Sequence, residues 1–294
     1  MSDPTVVDVH VHIFEQPDDP MRDGYEIWEY GEPPALDVGT RRGTVDDLVD
    51  AMATQPCDHS VILGMFSPAM EMAEHGDALP ERMQQYNDWI LDVASQSPRL
   101  TPLVAADPNV AGGSTGARAL DRAADRGARG IKIHPVVQGF SPDDPRMTDI
   151  YNLCETRGLT VLSHSGQTKD GVQLADPFAF AAVMDRHPRL HLLLAHLGGA
   201  AWHQVAEFAA AYPTVSFDLC EIIAWTGSSG APTADQLGLL IRDIGADRVL
   251  FGTDFPWYEL DRTIDQLMGL PHLSDEERRS ILGENAIRRM GLSI

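Results

Sequence analysis

The chain has 294 residues, 43% of them apolar and 22% charged, with a formal net charge of −22. This length suits one α/β barrel, which needs about 250 residues, better than a single sandwich or bundle. The composition excludes a disordered chain, and the acid excess repels phosphate backbones, arguing against a nucleic-acid partner. The excess acid is read as a solubility device, suited to a salty cytoplasm. The longest apolar stretches are strand-like, such as residues 61–63 and 191–195. They fall far short of the roughly 20 residues of a membrane span. The opening Met-Ser-Asp-Pro-Thr lacks the basic and apolar regions of a signal peptide, so a cytoplasmic location is expected. Cys57, Cys154 and Cys220 are widely spaced and read as reduced thiols. The only lysines are Lys132 and Lys169.

In chain order, strand-like runs fall at residues 6–12, 59–65, 100–107, 130–134, 160–164, 191–196, 215–221 and 248–254. Most are too uniformly apolar to be half exposed, as expected for parallel strands covered on both faces. Helix-period segments separate them: a helix following Thr44 to about residue 53, then 80–95, 114–126, 145–157, 201–212 and 233–244. Thr44 with Asp47 reads as a near capping box, and Asp176 before Pro177 as an N-cap. Two short helices, about 261–268 and 274–289, close the chain. Eight βα units without a break in composition predict one (β/α)8 TIM barrel, a single α/β domain over residues 1–294. An open doubly wound sheet would begin with a Gly-rich phosphate turn, whereas the first strand here ends in His10-Val11-His12. Residues 14–43, rich in Pro, Gly and Asp and carrying Tyr25, Trp28 and Tyr30, are too long for a plain connection. They are expected to form a lid over the carboxyl face.

The histidines are not scattered. His10 and His12 end the first strand, His134 the fourth, His164 the fifth and His196 the sixth, and Asp254 ends the eighth. In a TIM barrel those ends converge on the face that carries chemistry. Alternation turns His10 and His12 to one side, and closure brings the eighth strand beside the first. Three imidazoles and one carboxylate (His10, His12, His164, Asp254), with room for water, make an open site for a divalent metal. One Zn2+ is the simplest occupant, with Mn2+ or Fe2+ as alternatives. The other histidines, His59, His75, His187, His191, His203 and His272, are expected to be structural or on the surface.

The segments Val7-Asp8-Val9-His10-Val11-His12, Gly130-Ile131-Lys132-Ile133-His134-Pro135, Val161-Leu162-Ser163-His164-Ser165-Gly166, Ala195-His196-Leu197-Gly198-Gly199 and Leu250-Phe251-Gly252-Thr253-Asp254-Phe255-Pro256-Trp257 follow one another in order. Together with Gly283-Glu284-Asn285-Ala286 and Met290-Gly291 they resemble the amidohydrolase superfamily. The resemblance is to its branch containing the aminocarboxymuconate-semialdehyde decarboxylase-like enzymes. It implies that His10, His12, His164 and Asp254 ligate the metal and that His196 acts in proton transfer or orientation beside it. Lys132 and His134 are departures from the decarboxylase pattern and are expected to contact substrate. A carboxylated Lys132 bridging two metals, with His196 as a ligand, is the less favoured alternative.

On this reading a metal-activated water hydrolyses a small amide, lactone or ester, with Asp254 moving the proton. The alternative is a carboxy-lyase releasing carbon dioxide from a small aromatic or unsaturated acid. A non-catalytic binding barrel is disfavoured because every ligand is present. The expected partner is a small-molecule substrate, and a homodimer or larger homo-oligomer is compatible with this reading.

Overall fold

A computed structural model describes residues 4–19, 30, 39–167 and 174–294. The eight expected strands are all present: β1 Val7–His12, β2 His59–Leu63, β3 Leu100–Ala105, β4 Gly130–Ile133, β5 Thr160–Ser163, β6 His191–Leu194, β7 Ser216–Asp218 and β8 Val249–Leu250. They pair in parallel in the order β1 to β8. The ring closes through Val9 N to Phe251 O (3.0 Å), Asp254 N to His10 O (2.9 Å) and His12 N to Phe255 O (2.8 Å). The result is a TIM barrel. Each strand is followed by a helix: α1 Val45–Thr54, α2 Leu79–Ser95, α3 Gly113–Asp125, α4 Thr148–Arg157, α5 Ala181–Arg186, α6 Val205–Ala211, α7 Ala234–Ile244 and α8 Leu260–Gly269.

Strand periodicity divides the core in two. Val7, Val9, Leu63, Leu103, Leu162 and Leu250 fill the barrel, with Met290 and Leu292 packed against them. Ile62, Val104, Ile131, Val161, Leu192 and Phe217 face outward onto helix residues such as Leu48, Ile90 and Phe208. Burying each such side chain contributes about 1.5–3 kcal/mol relative to exposure.

Helix starts follow the sequence closely. Thr44 and Asp47 form a reciprocal capping box on α1, as Thr233 and Gln236 do on α7. Asp176 differs: it makes no capping bond, and its Oδ2 accepts from Gln167 Nε2 (3.0 Å) and Gln204 Nε2 (3.1 Å) instead. The last helical segment is interrupted by a π turn at Ser280–Glu284. Lys169, Tyr25, Trp28 and most of the expected lid lie outside the described residues. The ends of that segment meet through Phe14 N to Gly43 O (2.8 Å), and Tyr30 packs on Trp225 with ring centroids 5.3 Å apart. No helix among the described residues is long and apolar enough to cross a membrane.

One irregularity positions the site. The β1–β2 register shifts between Asp8 and Val11. Below the bulge Val7 and Val9 occupy the barrel interior. Above it the imidazoles of His10 and His12 meet, Nε2 to Nε2, at 3.1 Å. A bulge of this kind inserts one extra residue and re-aims the side chains beyond it. Asp8 holds it in place: Oδ1 accepts from His10 N (3.1 Å) and Thr253 N (3.0 Å), and Oδ2 from Thr253 Oγ1 (2.5 Å).

Candidate metal centre

The strands stop short of the residues that matter. β6 ends at Leu194 and β8 at Leu250, so His196 and Asp254 stand on the loops just beyond. His196, Glu221 and Asp254 have φ of 59°, 59° and 61°. They are three of the five non-glycine residues with positive φ among those described. The left-handed region costs an ordinary side chain about 1–3 kcal/mol, and such strain gathers at functional sites. Here it turns three side chains from consecutive strand ends toward one another. His134 ends β4 differently, as N-cap of the short helix Pro135–Gln138, whose Val137 N donates to its Nδ1 at 3.4 Å. Gln138 braces that corner: its Oε1 accepts from His134 N (2.7 Å), and its Nε2 donates to Ala106 O (3.0 Å) and Phe66 O (3.3 Å).

At the centre, Asp254 Oδ1 lies 3.4 Å from His10 Nε2 and 3.2 Å from His12 Nε2. Lys132 Nζ is 3.0 Å from His10 Nε2. The opposite edge of the His10 ring is fixed by Asp218, with Nδ1 and Oδ2 2.9 Å apart. That pairing places the His10 proton on Nδ1 and leaves Nε2 as a lone pair, as in the carboxylate–histidine–metal arrangement. Across the mouth, His164 stacks on His134 with centroids 3.8 Å apart and planes at 10°. Its ring centroid is 5.1 Å from that of His196. Asp218 Oδ1 also accepts from the His196 backbone N at 2.9 Å, so one buried carboxylate fixes the His10 ring and the His196 backbone.

Burial dominates the electrostatics. It pushes the imidazole of His164 down to about 3, reinforced by Lys132, and drives His10, His12 and His134 down as well. All four are therefore neutral, with lone pairs to offer. Burial acts the other way on Asp254, but the imidazoles of His10, His12 and His196 outweigh it and hold the carboxyl far below the usual range. Burial also lowers the ammonium of Lys132, against the pull of Asp254 and its neighbours.

The His10 and His12 Nε2 atoms and Asp254 Oδ1 lie within 3.4 Å of one another, close enough for one cation to lie among them. Lys132 supplies a cation from one side. A divalent ion would answer all three donors, and His10, His12 and Asp254 form one of the donor groupings compact enough to hold it. The donor types fit a borderline divalent metal.

Every residue expected at the site reaches this face. His10, His12 and Asp254 converge directly, with Lys132 against them, while His134, His164 and His196 form the opposite wall. Sequence reasoning missed Asp8, Gln138, Asp218, Cys220 and Glu221. Cys220, one of three isolated thiols by spacing, lies 3.1 Å from His10 Nδ1. A signal was available for Asp218 and Cys220, since both fall at the carboxyl end of the seventh strand, the position used for the other candidates.

The sequence pattern of an amidohydrolase family matches residues 7–292. The 2-amino-3-carboxymuconate-6-semialdehyde decarboxylase of Dictyostelium discoideum is 24% identical over 250 residues, covering 75% of this chain and 69% of that protein. The IDCase of Metarhizium anisopliae, solved in apo form, shares the fold with a TM-score of 0.71 and 18% identity, over 99% of this chain and 98% of that one. A dihydroxybenzoic acid decarboxylase from Polaromonas sp. JS666, with bound manganese and the inhibitor 2-nitroresorcinol, matches with a TM-score of 0.71 and 16% identity. That match covers 98% of this chain and 97% of the other. The chain belongs to the amidohydrolase family.

Proposed function

We propose that this protein is a metal-dependent, non-oxidative decarboxylase of a small aromatic or unsaturated acid, working as one domain. The observation that carries this reading is Lys132, whose Nζ is buried in the mouth 3.0 Å from His10 Nε2 and offers a cationic seat to a substrate acid. Hydrolysis, the activity favoured on sequence, needs Asp254 to take a proton from water and pass it on. Decarboxylation asks for a cationic seat for the substrate and a proton donor. Lys132 and His196 meet those needs. The decarboxylase relatives named above point the same way.

His10, His12, His164 and Asp254 would hold one ion, zinc or manganese, which when bound supplies electrophilic charge at the barrel mouth. Lys132, 2% exposed, pairs its ammonium with an oxygen of the substrate. The bond from carbon to carboxylate breaks, its electron pair stays on carbon, and carbon dioxide leaves. A proton held on a ring nitrogen of His196 then moves to that carbon. His134, flat against His164, fixes the plane of that ring and presents its own edge to substrate.

The test offers the purified metal-loaded enzyme a set of carboxylated aromatics and dienoic acids beside lactones, esters and amides, recording carbon dioxide and acid release. Carbon dioxide from an acid, abolished by chelation, is expected. Chelator-sensitive hydrolysis without carbon dioxide would replace this reading with the hydrolase one.

A further inference from the structure

A second set of donors occupies the other edge of the His10 ring. Cys220 Sγ lies 3.1 Å from His10 Nδ1, 3.1 Å from His196 Nδ1 and 2.8 Å from Asp218 Oδ1. His10 and Cys220 are 0% exposed and His196 3%. The S–H donates to Asp218 Oδ1, and the sulfur and two imidazole nitrogens converge on one buried point. The other two cysteines have no such surroundings: Cys57 Sγ meets the His59 carbonyl and Ser60 Oγ, and Cys154 is buried in the apolar core.

We propose that Cys220 Sγ, His10 Nδ1 and His196 Nδ1 form a site for a thiophilic cation, of the cadmium or zinc type, whose filling excludes a metal from the His10–His12–Asp254 cluster. The three ligand atoms lie within 4.8 Å of one another. Bonds of about 2.3 Å to sulfur and about 2.0–2.1 Å to imidazole span the 3.1 Å gaps at roughly a right angle. Sulfur ligands favour soft cations over hard ones such as manganese or magnesium, so this site and the oxygen-containing cluster select differently. The exchange is balanced. The cation takes the sulfur electron pair while the thiol proton leaves to solvent, and it takes the His10 Nδ1 lone pair while that proton moves to Nε2, which then has no lone pair for the cluster.

Exclusion follows from sharing one ring. His10 serves the cluster through Nε2 only while its proton sits on Nδ1 against Asp218. A cation on Nδ1 removes that arrangement and withdraws one ligand. The enzyme would therefore be poisoned by thiophilic ions through displacement of its working metal. This inference does not depend on which reaction the enzyme performs.

The test titrates cadmium into the metal-loaded protein as purified and reads two signals. These are the ultraviolet sulfur-to-cadmium charge-transfer band and the elemental content after desalting. The band should appear in the native protein and in the Cys57→Ser/Cys154→Ser variant and be absent from Cys220→Ser, with the resident ion released as cadmium enters. Cadmium bound without the band, a band surviving Cys220→Ser, or a band with the resident ion retained would each overturn the proposal. Should Cys220→Ser fail to fold, cadmium nuclear magnetic resonance of the native protein decides the same point. A shift for mixed sulfur and nitrogen ligation supports the site, and one for nitrogen and oxygen alone refutes it.

Discussion

Lys132 Nζ stands 3.0 Å from the His10 nitrogen that also faces the metal cluster, so an ammonium and a metal ion address one lone pair. When the ion takes it, the lysine protons turn to the remaining acceptor in the mouth, the substrate. Lys132→Met should keep about one ion per chain while kcat/KM falls by about 10–100-fold, the worth of one hydrogen bond to a charged group. Paired measurement of metal content and kinetics checks this; loss of the metal with the lysine would return the carboxylated-lysine alternative. His196 is separable in the same way. His196→Asn keeps a residue that tolerates φ of 59° but removes the transferable proton. A kcat about 10²–10⁴-fold lower with metal retained is expected, and near-native turnover would move proton delivery elsewhere. Histidines at strand ends were legible in the sequence because barrel topology gives those positions a meaning. Asp218 holds the same position at the end of β7, but an aspartate in an apolar strand announces a buried partner without naming it.

At the scale of elements, the site depends on how β8 passes β1. A Cβ on Gly252 would lie 2.9 Å from His10 Cβ and 3.4 Å from Cys220 Cβ, so only glycine lets the two strands approach this closely. Gly252→Ala should push the His10 ring off Asp218, weakening metal binding by about 10–100-fold and costing about 1–3 kcal/mol of stability. Isothermal titration and chemical denaturation read the two effects, and unchanged metal affinity would show that the ring has room to move. All eight strands could be read from sequence because each is buried on both faces and reads as an apolar run. Their ends could not. The left-handed turns at His196 and Asp254 use residues that carry no glycine signature, and the β1 bulge is written only in the side-chain bonds of Asp8.

For the whole molecule, the balance of buried titratable groups sets the response to acid. His10, His12, His59, His134, His164 and His187 are all lowered from their ordinary 6.5 by burial. A lowered imidazole is neutral when folded and takes a proton when unfolded, so its contribution is present above about pH 6.5 and lost as pH falls. Burial raises Asp8 to about 7 and Asp107 to about 6, and it also raises Asp218. Those three act oppositely, losing their contribution as pH rises. Six histidines outnumber them, while Asp254, held low, loses its contribution only below the ordinary carboxylate range. The metal-free protein should therefore melt at progressively lower temperature as pH falls from about 7 to about 5. A melting temperature flat or rising over that window would contradict the burial of these rings. The central claim is that His10, His12, His164 and Asp254 hold a single divalent ion. Elemental analysis of the native chain beside His10→Ala and His164→Ala tests it most directly. The account predicts about one ion per native chain and almost none in either variant, since removing one of four protein ligands leaves a poor chelate. Two ions per native chain, or full retention in both variants, would contradict it.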